Sequence, residues 1–147
     1  MRTAFLLFFV FSQAKIFAQC PDFQLVDLQM LQRAEGSAKE SSLLEMGFDR
    51  GGKVGNSLRF NKCWQTTTGG KAIYEQVIYW NVASGNITFL TPKEDDYLRL
   101  RKSIEGRHGA SGSMGASDIY VGQVFRYEFG ARGLDGVQHW SVAISFR

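Results

Sequence analysis

Residues 71–90, KAIYEQVIYWNVASGNITFL, constrain the fold more than any other stretch of this 147-residue chain. Two runs rich in β-branched and aromatic residues, 73–82 and 87–90, flank Ala83-Ser84-Gly85-Asn86, four residues that favour turns. In the first run Ile73, Val77 and Tyr79 alternate with Tyr74, Ile78 and Trp80. Apolar side chains therefore fall on both faces, as they do in a central strand covered on more than one side. A further β-rich run, 57–66, lies just upstream, and a helix-like segment stands on each side of the group. The stretch predicts the middle of an antiparallel sheet with helices packed against it.

Upstream, residues 23–46 read as two short helices or one broken helix. Asp22 is the expected N-cap of the first, and Phe23, Leu25, Leu28, Met30 and Leu31 form its apolar stripe. Ala34-Glu35-Gly36 interrupts the pattern, Ser37 and Glu40 have the spacing of a capping box, and Gly47-Phe48 reads as a helix stop. Asp49-Arg50-Gly51-Gly52-Lys53 is expected to be a polar loop, and it lacks the pattern of a phosphate-binding loop. In 57–66, Leu58, Phe60, Lys62 and Trp64 share one face and Arg59, Asn61 and Cys63 the other. Thr67-Thr68-Gly69-Gly70 then forms a turn.

Downstream, Thr91-Pro92-Lys93-Glu94 is the strongest helix start, with Thr91 capping and Pro92 in the first turn. Tyr97, Leu98, Leu100 and Ile104 make the apolar stripe. Acidic residues 94–96 lead the helix, and Arg99, Arg101, Lys102 and Arg107 follow, a distribution that complements the helix dipole. Residues 106–117, GRHGASGSMGAS, read as a long loop that holds His108. A strand over 119–129 is expected to put Ile119, Val121, Phe125, Tyr127 and Phe129 on one face. Residues 130–136 turn the chain, with Asp135-Gly136 the tightest point, and Trp140, Val142, Ile144 and Phe146 alternate with small or polar residues in the last strand. His139 belongs to the polar set and reads as exposed. The expected order is α-α-β-β-β-α-β-β, an α+β fold of about five antiparallel strands with helices on one face.

Residues 1–18 read as a secretory signal: Arg2 is the positive end, residues 4–11 are unbroken apolar, and Ala18 precedes the expected cut. The run is too short to span a bilayer, so no transmembrane span is expected in the mature chain, a single domain over 19–147. Cleavage removes Arg2 and Lys15 and leaves 15 basic against 14 acidic side chains, which takes away the electrostatic case for nucleic acid. In an exported chain Cys20 and Cys63 read as a disulfide. Cys20 directly after the leader also permits a lipid-bearing N-terminus, although Gln19 stands where a lipoprotein signal has a small residue.

No cluster of residues specifies a chemistry. G-x-S-x-G is absent, only His108 and His139 could serve as a base, and Cys and His are too scattered for zinc. Asp95, Asp96, Glu105, Glu128 and Asp135 form no recognisable catalytic pair. Asn86-Ile87-Thr88 fits a glycosylation pattern that also arises by chance. No cofactor, metal or catalytic residue is therefore assigned. Trp, Tyr and Arg dominate interface hot spots, and the expected binding surface is drawn from Trp64, Tyr79, Trp80, Tyr120 and the loop residue His108.

The order also reads as two related units, each a helix followed by a meander. In that outline the chain resembles small exported α/β-repeat proteins of the β-lactamase-inhibitor-protein type. With its Phe17-Ala18-Gln19 leader end it also resembles the many short, uncharacterised secreted bacterial α+β proteins. The resemblance is architectural and brings no site residue. Export, the high aromatic content and the missing catalytic clusters lead instead to an exported binding or inhibitor module that uses an exposed sheet face and the loop 106–117, with another exported or envelope protein as its expected partner. Two further readings stand beside it, a small exported hydrolase using His108 or His139, and a structural envelope component.

Overall fold

The computed structural model describes residues 20–66, 69–108, 113–114 and 117–147; the expected leader at 1–18 lies outside them. Among the described residues, three helices and eight strands follow in the order α1 (Leu25–Arg33), α2 (Gly36–Glu45), β1 (Asp49–Val54), β2 (Ser57–Thr66), β3 (Ala72–Asn81), β4 (Ile87–Thr91), α3 (Glu94–His108), β5 (Ser113–Met114), β6 (Ser117–Val121), β7 (Phe125–Leu134) and β8 (Val137–Phe146). All eight strands form one antiparallel sheet in the spatial order β1-β2-β3-β4-β8-β7-β6-β5. Two four-stranded meanders thus meet at the β4–β8 pair, and β3–β4 lies in the interior of the sheet.

The α+β class and the antiparallel sheet match expectation; the strand count and order do not. The Gly-rich segment after α2 is a strand, because the neighbouring 57–66 supplies backbone partners from Asp49↔Asn61 to Val54↔Ser57. Every residue of β1 is exposed, so no apolar alternation announces it. The single run expected over 119–129 is two strands, turning where the Gly122 N–H donates to Phe125 O at 2.8 Å. Alternation does not carry across that turn. Tyr120, not Ile119, pairs with Tyr127 and joins its face. The turn expected over 130–136 shrinks to Asp135-Gly136, both at positive φ as a two-residue hairpin turn requires. Residues 106–108 belong to α3, and 109–112 and 115–116 of the expected loop lie outside the described residues.

Helix ends show the same mixture. Gly47 (φ 83) and Phe48 close α2: their N–H groups donate to Leu44 O at 2.9 Å and Leu43 O at 3.0 Å, which satisfies two terminal carbonyls. The caps at the other ends shift. Gln24, not Asp22, caps α1, its N–H bonded to Asp27 Oδ2 at 2.8 Å, and Ser37 sits inside α2 behind an N-cap at Glu35. Thr91 ends β4, with its hydroxyl accepting the Lys93 N–H at 3.1 Å, so α3 begins at Glu94, two residues beyond Pro92.

One sheet face is the core. Phe60, Ile78, Phe89, Val142 and Phe129 pair in turn from β2 to β7 and are all buried. Beside them runs Trp80, Ile87, Ile144, Tyr127 and Tyr120. Leu25, Leu28, Leu31 and Leu43 from α1 and α2 pack into this same cluster with Tyr97, Leu100 and Ile104 of α3. The Cys20–Cys63 disulfide ties the chain ahead of α1 to β2 across a sequence separation of 43, and a sulfur in that bond cannot also carry a lipid thioether. Next to it Gln76 Nε2 donates to Pro21 O at 2.6 Å, and Phe23 stacks on Phe89 at 4.4 Å.

The opposite face is partly roofed. Its pairs with β4 stop at Thr91↔Trp140, so the tip of the β7–β8 hairpin projects past the end of β4. A flat sheet would hold β3 and β7 about 14 Å apart, three strand spacings. Instead the Arg132 guanidinium lies 4.4 Å from the Tyr79 ring, and Arg59 Nη2 reaches Asp135 Oδ2 at 2.7 Å. The tip therefore arches back over this face toward β2 and β3. Ile73, Val77 and Leu90 are buried on this side, outside the main cluster. This is the second covering that the two-sided apolar pattern of β3 calls for.

Candidate functional site

The arching hairpin leaves an open trough of about 450 Å³ along the roofed face. Sheet pairing fixes its floor. Tyr79, Thr88, Ala143 and Glu128 sit side by side across β3, β4, β8 and β7, with Ser145 and Arg126 paired in the next row but one. The middle of the floor is thus made of small side chains, Thr88, Ala143 and Ser145, between a wall of Tyr79 and Asn81 and a wall of Arg126 and Glu128. Arg132, Gly133 and Leu134 form the roof. The turn wall is held by Asn81, whose Oδ1 accepts the N–H groups of Ala83 at 3.0 Å and Ser84 at 3.1 Å.

Charge in the trough is unevenly committed. Arg132 packs on Tyr79, a cation–π contact that leaves its N–H groups available at the edge. Arg59 and Asp135 form the clasp of the roof, and the Arg59 hydrogen bond draws the Asp135 carboxyl below the usual carboxylate range. Arg126 and Glu128 are exposed and have no ion-pair partner among the described residues. Such a site presents donors and acceptors on both walls over a floor that admits a backbone.

Of the expected surface residues, only Tyr79 lies here. Trp64 is 61% exposed, nearer the far end of β2. Trp80 is buried in the core on the other face from Tyr79, with Lys39 Nζ 5.5 Å from its ring. Tyr120 is also a core residue. Its hydroxyl donates to Glu105 Oε1 at 2.7 Å and accepts from Arg101 at 3.3 Å, and that bond to Glu105, then burial, pushes the phenol up. His108 ends α3, and its side chain lies outside the described residues.

His139 overturns its expected exposure. It is 2% exposed, with Nδ1 3.0 Å from Val137 O, because its strand position faces inward beneath the arched hairpin. Neither histidine nor cysteine lines the trough among the described residues. No group of three His, Cys, Asp or Glu is placed there to hold a metal, and no helix among them is long and apolar enough to cross a membrane.

Sequence reasoning missed Arg126, Glu128 and Arg132. The signal that could have found the trough is the small set Ser141, Ala143 and Ser145 opposite Trp140, Val142 and Ile144: a strand that carries small residues on one face leaves room there. No family model, no curated protein and no solved structure matches the chain.

Proposed function

We propose that this protein is a small exported, inhibitor-like binding module that takes a segment of another exported or envelope protein into the roofed trough. The observation that carries the reading is the trough itself. Small residues floor it, Tyr79 and Arg132 stand at one edge, and unpaired Arg126 and Glu128 stand at the other. Tyr and Arg are the side chains that give interfaces most of their binding energy, and charges of both signs select partner and register. Export is supported by the disulfide and by the leader-like first 18 residues. The inhibitor-like part of the reading rests on the sequence outline, a helix followed by a meander twice over. Hydrolysis through His139 draws no support from a ring that is 2% exposed.

The test is affinity capture from extracellular and envelope fractions of the native host, with Tyr79→Ala, Arg126→Ala and Trp64→Ala run beside the parent. A stoichiometric partner lost with Tyr79→Ala and Arg126→Ala, and kept with Trp64→Ala, supports the trough. A partner kept by all three variants, or no partner from any fraction, overturns it.

A further inference from the structure

A second cavity, of about 620 Å³, opens at the other side of the molecule, where the ends of α1 and α3 meet the β6–β7 turn. Arg33, Arg107 and Arg147 line it together with Val121, Val124 and Phe125, and no acidic side chain does. Of the four arginines on α1 and α3, Arg99 is paired with Asp22 and Asp96, and Arg101 with Glu105 and Asp118. Arg33 and Arg107, the two that reach the cavity, have no ion pair among the described residues, which include every Asp and Glu of the chain.

Dipole complementarity accounts for a cation at each helix end. It does not account for two helices delivering theirs to one cavity walled by apolar side chains. The Arg33 guanidinium lies 5.2 Å over the Phe125 ring, which fixes it at the mouth. At the inner end Gln29 Nε2 donates to the Tyr127 hydroxyl at 2.6 Å. Burial raises that phenol, against the Gln29 hydrogen bond and the positive charges of Arg107 and Arg33. Val124 is 48% exposed, an apolar wall open to a visitor.

We propose that this cavity binds a small organic anion with an apolar body. Its carboxylate or phosphate is held by Arg33 and Arg107, and its body lies against Val121, Val124 and Phe125. Guanidinium groups suit planar or tetrahedral oxyanions, because they present paired donors in a fixed fork. The site is separate from the trough and stands or falls independently of it.

Phenyl phosphate, titrated calorimetrically into the purified protein, is the probe, with benzyl alcohol and benzylammonium as uncharged and cationic controls. Saturable one-to-one binding of phenyl phosphate alone is expected, weakened about tenfold or more in Arg33→Gln/Arg107→Gln, as the loss of charge-assisted hydrogen bonds implies. The variant Lys53→Gln/Lys102→Gln removes as much charge elsewhere and should bind as the parent does. In the parent, magnetic-resonance shifts should centre on Phe125 and Val124 and spare Tyr79. Equal weakening in the two double variants, shifts away from Phe125, or no saturation by about 10 mM, weaker than the millimolar scale of small ligands, would overturn the site.

Discussion

The two faces of the sheet are built from alternate residues of the same strands, yet they do opposite work. On the helix face Phe60, Ile78, Phe89, Val142 and Phe129 are each no more than 1% exposed, and three helices close over them. On the roofed face the corresponding row is Arg59, Tyr79, Thr88, Ala143 and Glu128, covered only where the hairpin tip arches across. Stability is concentrated on the first face and open space on the second. Burying an aromatic row stabilises strongly because the area removed from water is large and densely packed. A row of small and charged side chains contributes little to that: Arg59 is committed to the Asp135 clasp, and Glu128 stays without an ion pair among the described residues.

The largest loss should come from opening the helix face. Phe89→Ala leaves a cavity beneath Phe23 and should cost about 3–5 kcal/mol in denaturant unfolding; a loss near that of a surface change would mean the helix face is not the stabilising one. Next is the clasp that holds the chain before α1 on β2. Removing both Cys20 and Cys63 as serines frees a long loop and should cost about 3–4 kcal/mol in the loop-entropy account. It should shift the chemical-denaturation midpoint as much as adding reductant to the parent does.

A smaller effect comes from the polar clamp between α3 and β6. Tyr120→Phe deletes a hydroxyl bonded to Glu105 and Arg101 and should cost about 1 kcal/mol at neutral pH. The folded phenol titrates above its unfolded value, so this contribution is whole below the ordinary phenol range and fades as pH rises through the raised one. Stability of parent and variant measured from neutral to strongly alkaline pH should therefore converge at the alkaline end.

The smallest change belongs to the roof. Asp135 is 45% exposed at its side chain, and Asp135→Asn should cost less than about 1 kcal/mol of global stability. Its folded carboxyl titrates below its unfolded value, so the contribution is present above the ordinary carboxylate range and lost as pH falls through the lowered one. Hydrogen exchange at Gly133 and Leu134 should nevertheless rise in the variant, since the clasp to Arg59 loses its charge assistance. Unchanged exchange would show that the charge of the clasp does not hold the roof.

Much of the helix face was legible because its signals are local. The alternation of Trp140, Val142 and Ile144, the stripe of Leu25, Leu28 and Leu31, and the Gly47-Phe48 stop all depend on residues within a few positions of one another. The strand at Asp49 was not legible, because an exposed edge strand with two glycines is defined by its neighbour's hydrogen bonds rather than by its own side chains. Trp80 and Tyr120 were misleading for a related reason. An aromatic residue reads alike in a core and on a recognition face, and only packing separates Trp80 from its neighbour Tyr79. Arg126 and Glu128 fall on the other face of their strand from Phe125, Tyr127 and Phe129, and their place as a wall depended on where the far hairpin folds.

By itself the sequence determined an α+β chain with an antiparallel sheet, two cysteines to pair, and a β3 apolar on both sides. Those features follow from periodicity and residue chemistry over short spans. Only the tertiary structure decided that the two meanders join at β4–β8, that His139 is buried, and that Arg132 and Asp135 reach Tyr79 and Arg59. The physical reason is the curvature of the sheet: β4 ends at Thr91 while its neighbour β8 continues, so the free hairpin tip can bend back and bury residues that local patterning leaves outside.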